Sequence, residues 1–185
     1  MNIREAKQQI KNAMIAYFTK DEFGNYLLPP ERQRPVFLLG APGIGKSTLM
    51  LQICQQLGQF AKVLYVSGEE STRQLKLRAQ RLHVDSENLY VLSETRLGDV
   101  LECVQEEQPD ILIVDEVLSV GDFHFQQKCE ARINRMKENG ATILFVSHNM
   151  EQVRNLCSRI VWLEHGRVRS IGDADELCRE YQEAE

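Results

Sequence analysis

The chain has 185 residues, with 22 Lys and Arg against 27 Asp and Glu, a net charge of −5, which argues against the basic field of a general nucleic-acid binder. That length fits one domain able to bury a core without a metal or disulfide staple. The five cysteines, Cys54, Cys103, Cys129, Cys157 and Cys178, form no Cys-x-x-Cys pair and are odd in number, so they read as reduced thiols of a cytoplasmic protein.

In chain order, the opening MNIREAKQQIKNAMIAYF interleaves charges with apolar residues, unlike a signal peptide, and no later stretch has the length of a membrane span. Apolar positions at Ile3, Ile10, Met14 and Tyr17 predict a helix within residues 3–18, followed by a Pro-containing link at 19–35. Residues 1–185 are expected to form a single nucleotide-binding domain, with 1–35 as a helix and linker packed on its core.

The first apolar run, VFLLG at 36–40, leads into GAPGIGKST. Glycine-rich turns cost conformational entropy, so this one marks a place where something approaches the backbone closely. The spacing Gly40-x-x-x-x-Gly45-Lys46-Ser47 is that of a phosphate-cradling loop between a strand and a helix. Gly40, Ala41, Pro42, Gly43, Ile44, Gly45, Lys46, Ser47 and Thr48 are therefore the candidate nucleotide-binding residues. In that role backbone N–H groups and the helix N-terminus hold phosphate oxygens, Lys46 neutralises β and γ charge, and the Ser47 hydroxyl reaches Mg²⁺.

Further short apolar runs follow: KVLYVS at 62–67, LYVL at 89–92, ILIVD at 111–115, TILFVS at 142–147 and RIVWLE at 159–164. They are nearly all apolar instead of alternating, as in a parallel sheet covered on both faces. Helical patterns lie between them, marked by the capping box Ser71-Thr-Arg-Gln74 and by Gly58 and Gly140 just past two helices. The expected fold is an α/β three-layer sandwich of the P-loop NTPase type. Only His165-Gly166 separates the last two strands, which predicts an antiparallel hairpin at one edge.

Two strand ends carry further chemistry. ILIVDE closes on Asp115 and Glu116, and a carboxylate beside an apolar strand is costly unless a cation or hydrogen bonds offset it. Asp115 is the candidate metal-side acid together with Ser47, and Glu116 the candidate base that polarises the attacking water. ILFVSHNM puts Ser147, His148 and Asn149 at the end of a strand expected between the other two, with His148 as a γ-phosphate contact. His83, His124 and His165 lack such a context and read as surface or turn residues. Glu69 and Glu70 in SGEE are rivals to Glu116, or else acids stabilised by the helix that follows.

The likeness to known families changes along the chain. Residues 1–48, with FTKDEFGNYLLPPERQRPVFLLGAPGIGKST, resemble the start of bacterial AAA-type ATPases. Residues 45–113, including KVLYVSGEESTRQLKLRAQRL, resemble the ATPase core of the RecA-like DNA-repair proteins of bacteria. Residues 109–185, from PDILIVDEVLSVGDFHFQQKC through FVSHNMEQVRNLCSRIVWLEHGRVRSIGD, resemble the ATP-binding subunit of polysaccharide-exporting ABC transporters. All three are P-loop proteins with an extra strand between the loop strand and the Asp strand, and the succession reads as an engineered recombination of P-loop fragments. The resemblance implies the strand order 89–92, 62–67, 111–115, 142–147, 36–40, then the hairpin.

It also implies ATP and Mg²⁺ as ligands; the lack of a long apolar stretch predicts no membrane insertion, and a monomer is expected, with a homodimer as the alternative. The ABC signature LSGGQ is missing from this sequence, although Val117–Asp122 is similar to that family's dimer-contacting turn. Zinc-binding cysteine pairs and an assignable arginine finger are missing too. The expected function is thus Mg-dependent ATP binding with slow hydrolysis. Two alternatives stand beside it: the energising subunit of an exporter, and a DNA-dependent ATPase using Lys62, Arg73, Lys76, Arg78 and Arg81 as a basic face. Composition argues against nucleic acid as the partner.

Overall fold

Among the described residues, seven strands form one sheet: β1 (Val36–Leu39), β2 (Val63–Ser67), β3 (Leu89–Ser93), β4 (Ile111–Asp115), β5 (Thr142–Val146), β6 (Arg159–Glu164) and β7 (Arg167–Asp173). Their order is β3-β2-β4-β5-β1-β6-β7, the order that the resemblance implies. The structure is a computed structural model and describes residues 8, 12, 21–22, 36–39, 46–117, 131–136, 141–147, 150–164 and 167–184. The helices are α1 (Lys46–Leu57), α2 (Thr72–Arg81), α3 (Leu97–Glu107), α4 (Met150–Leu156) and α5 (Ala174–Ala184), and residues 131–136 are also helical.

Every paired strand runs parallel except β6 with β7, the antiparallel hairpin at the edge. All five residues of β2, β4 and β5 are buried, which is why their sequences show no polar alternation. The β6–β7 register shifts between Trp162 and Leu163, a bulge that helps the edge strand twist.

The capping box forms as the sequence predicts. The Ser71 amide donates to Gln74 Oε1 at 2.9 Å, and the Ser71 hydroxyl accepts from the Gln74 amide. The Gly58 amide closes the end of α1 on the Cys54 carbonyl at 2.8 Å. β2 starts one residue later than the apolar run, because Lys62 is engaged elsewhere: its amide bonds Asp110 Oδ2 and its ammonium bonds Glu107 Oε2 at 2.7 Å. Of the expected helix at 3–18 and link at 19–35, only residues 8, 12, 21 and 22 are described, with Gln8 donating to Asn12. Gly140, His165 and Gly166 lie outside the described residues.

Two apolar layers sandwich the sheet. On one side α1 and α2 pack Leu49, Met50, Ile53, Cys54, Leu57 and Leu75 against Val63, Tyr65, Ile111, Ile113 and Leu144. On the other side Val100 and Val104 of α3, Ile133, Val153 of α4 and Leu177 of α5 cover Leu64, Val66, Leu112, Val114 and Phe145. The parallel strands all end on one rim, where the chain also enters α1, and crevices outside such carboxyl ends are where open α/β sheets bind ligands.

Candidate functional site

Strand pleating sorts β4 into two faces. Ile111 and Ile113 project toward α1 and Leu112 and Val114 away from it, so Asp115 emerges on the α1 side at the strand's carboxyl end. It is only 5% exposed, and a buried carboxylate needs donors or a cation. One donor comes from the neighbouring strand: the Tyr65 hydroxyl donates to Asp115 Oδ2 at 2.6 Å. Burial, together with the Asp115 charge, pushes the Tyr65 phenol far above its ordinary value, so it remains a protonated donor.

Immediately beyond, the Glu116 amide bonds the Val146 carbonyl at 2.9 Å, extending the ladder toward β5 by one residue. The chain then turns, with Glu116 at φ 56°, a left-handed conformation that is uncommon for a residue with a side chain. Val117 returns to the apolar layer on the far face. Gly68, past the end of β2, packs directly on this turn. Its amide donates to the Asp115 carbonyl at 2.9 Å, and a Cβ on it would stand 2.6 Å from the Glu116 carbonyl oxygen. Only glycine allows the two backbones so close.

The SGEE segment is likewise engaged. Ser67 is buried and its hydroxyl accepts from the Glu70 amide at 3.1 Å. Glu70 forms an ion pair with Arg78 at 3.0 Å and its charge is felt at the Tyr65 phenol, whereas Glu69 is exposed.

At the start of α1, Lys46 is the first helical residue, and Ser47 and Thr48 are half-buried in the first turn. Ser147 is 6% exposed just past β5, which lies between β4 and β1. Among the predicted site residues, Gly40, Ala41, Pro42, Gly43, Ile44, Gly45, His148 and Asn149 lie outside the described residues, as do the Lys46 side chain and residues 118–122. Sequence reasoning missed Tyr65 and Gly68. The signal for Tyr65 was a polar-tipped ring in an otherwise aliphatic run, two residues before the strand ends.

The basic face proposed for DNA is partly spent on internal contacts. Lys62 holds Glu107 and lies 4.8 Å over the Tyr90 ring, and its pKa is raised chiefly by the Glu107 hydrogen bond. Arg78 holds Glu70. Among the described residues no group of three or more His, Cys, Asp or Glu could hold a metal. A cation here would therefore lean on ligand oxygens and water, as Mg²⁺ does with a nucleotide. The all-oxygen set of Ser47 and Asp115 suits such a hard ion.

Residues 36–164 match the profile of the "ATPase family associated with various cellular activities (AAA)". The chain is 52% identical over 75 residues to the teichoic acids export ATP-binding protein TagH of Listeria innocua, covering 40% of this chain and 22% of that protein. It is 51% identical over 81 residues to the O-antigen export system ATP-binding protein RfbB of Klebsiella pneumoniae, covering 44% of this chain and 33% of that protein. The chain thus spans a third or less of these two curated relatives. In structure it is similar to the flagellar accessory protein FlaH of Methanocaldococcus jannaschii, with a TM-score of 0.58 at 14% identity over 75% of each chain. At that identity the likeness concerns the fold. No helix among the described residues is long and apolar enough to cross a membrane.

Proposed function

Because the chain belongs to the ATPase family associated with various cellular activities, we propose that it binds ATP with Mg²⁺ at the carboxyl rim of the sheet and hydrolyses it slowly. The observation that carries this reading is Asp115, 5% exposed at the end of an apolar strand, on the sheet face covered by the helix that Lys46 and Ser47 begin. In this reading the residues from Gly40 to Thr48 hold the phosphates, with Lys46 countering their charge. Ser47 and Asp115 hold the cation. Glu116 orients and deprotonates the attacking water, and His148 contacts the γ-phosphate. When bound, Mg²⁺ supplies charge neutralisation on the phosphate oxygens.

Slow turnover follows from the sequence, in which no signature motif or arginine finger can be assigned. Such a group is worth roughly 10³–10⁵ in turnover. Steady-state phosphate release faster than about one per second would contradict it. The two export relatives favour a second reading, the energising part of a polysaccharide exporter, which predicts ATPase stimulation by an exporter's membrane subunits.

The test of the main reading is thermal unfolding with and without Mg-ATP. A ligand that binds only the folded form adds about 2.7 kcal/mol at a hundredfold excess over Kd. The melting temperature should rise, and Lys46→Ala should remove most of the rise. A parent protein indifferent to millimolar Mg-ATP would overturn the assignment.

A further inference from the structure

We propose that Tyr65 is the positioning residue for the metal-side carboxylate, its hydroxyl fixing the rotation of Asp115 so that the cation meets an oxygen already aimed. The inference rests on the reading of Asp115 given above and concerns a residue two positions before the end of the neighbouring strand. A carboxylate at a strand end can rotate about both Cα–Cβ and Cβ–Cγ, and any rotamer it leaves must be recovered when the metal binds. Tyr65 removes that freedom. Its ring is 0% exposed and wedged in the layer formed with Cys54 and Ile113, so the hydroxyl stands on a rigid mount, 2.6 Å from Asp115 Oδ2.

Geometry makes this mount specific to Asp115. The β2–β4 register pairs Tyr65 with Ile113, so the ring passes beside the penultimate inward residue of β4 and its tip reaches the last one. Phenylalanine at this position would fill the same space and bring no donor. A donor shared with a metal-binding carboxylate orients it, and removal of such a partner typically costs 10- to 100-fold in metal affinity.

The experiment separates positioning from mere core satisfaction. ATP affinity is measured by calorimetry in EDTA and across a Mg²⁺ series, for the wild type, Tyr65→Phe, Asp115→Asn and the double variant. Tyr65→Phe is expected to bind ATP like the wild type in EDTA and to need about tenfold more Mg²⁺ to reach full affinity. In the Asp115→Asn background the same substitution should add no further change. An unshifted Mg²⁺ midpoint in Tyr65→Phe, with the wild type responding to Mg²⁺, overturns the proposal and leaves the nucleotide reading intact. A wild type whose ATP affinity ignores Mg²⁺ brings both down.

A second measurement needs no variant. In protein carrying ¹³C-labelled tyrosine, the Tyr65 Cζ resonance should move when Mg²⁺ is added to the ATP complex and stay in place when ATP is added in EDTA. A resonance indifferent to Mg²⁺ in the ATP complex overturns the proposal.

Discussion

Toward α1, strands β2 and β4 project Val63, Tyr65, Ile111, Ile113 and Asp115; away from it, the same strands project Leu64, Val66, Leu112 and Val114. The first face therefore stays apolar until its carboxyl rim, where a phenol and a carboxylate are buried together. Among the described residues, the second face is sealed without any such pair. On that side Trp162 is 3% exposed, meets Tyr181 edge-on with centroids 5.1 Å apart, and lies under the Arg169 guanidinium. The difference teaches where a stable sheet tolerates a buried carboxyl group: at a strand end, next to a hydrogen-bond donor.

The comparison breaks most visibly at Trp162. Trp162→Ala empties a packed aromatic site and should cost about 3–5 kcal/mol, read from urea unfolding, while ATP affinity of the folded fraction stays unchanged. Equal damage to stability and to ATP affinity would mean that the two faces are not separable.

Gly68→Ala acts at the site instead. Its methyl group would meet the Glu116 carbonyl at 2.6 Å, and relief requires the backbone of one segment to move. We expect a stability loss of about 1–3 kcal/mol and a fall in phosphate release larger than the fall in ATP affinity, because Glu116 is displaced more than the phosphate loop. Unaltered phosphate release would detach Gly68 from the role proposed for the Glu116 turn.

Ser71→Ala touches neither face. It removes the N-cap of α2 and should cost about 1 kcal/mol, with nucleotide affinity and turnover preserved. This variant calibrates how far a plain stability loss spreads to the site.

The smallest effect is expected from pH. Cys54 is fully buried, and desolvation pushes its thiol far above the ordinary 9.0; Cys103 and Cys178 are raised in the same direction by the same cause. In the unfolded chain these thiols ionise near 9.0, so above that pH the unfolded state holds fewer protons than the folded one. Their contribution is whole below pH 9.0 and declines as the pH rises beyond it. Cys54→Ala should flatten this decline in thermal melts, and native Cys54 should react slowly with a thiol reagent.

How much of this was legible in the sequence follows from range. β2, β4 and β5 announced themselves because strands buried on both faces are written as unbroken apolar runs, and α2 because its capping box is local. The boundary at Lys62 was not legible, since its partners Glu107 and Asp110 lie more than forty residues away. The Tyr65–Asp115 bond spans fifty positions and exists only in one register of β2 on β4. Gly68 read as part of an acidic loop, whereas its neighbour in space is the Glu116 turn, a contact that no spacing rule encodes.

The most direct measurement is a ¹⁵N-resolved NMR titration with Mg-ATP, with the Trp162 indole as the internal reference on the opposite face. The account predicts shifts concentrated at the amides of Ser47, Thr48, Gly68, Asp115 and Glu116, and a stationary Trp162 indole. Shifts centred on β6, β7 and α5, or no shifts at millimolar Mg-ATP, would contradict it.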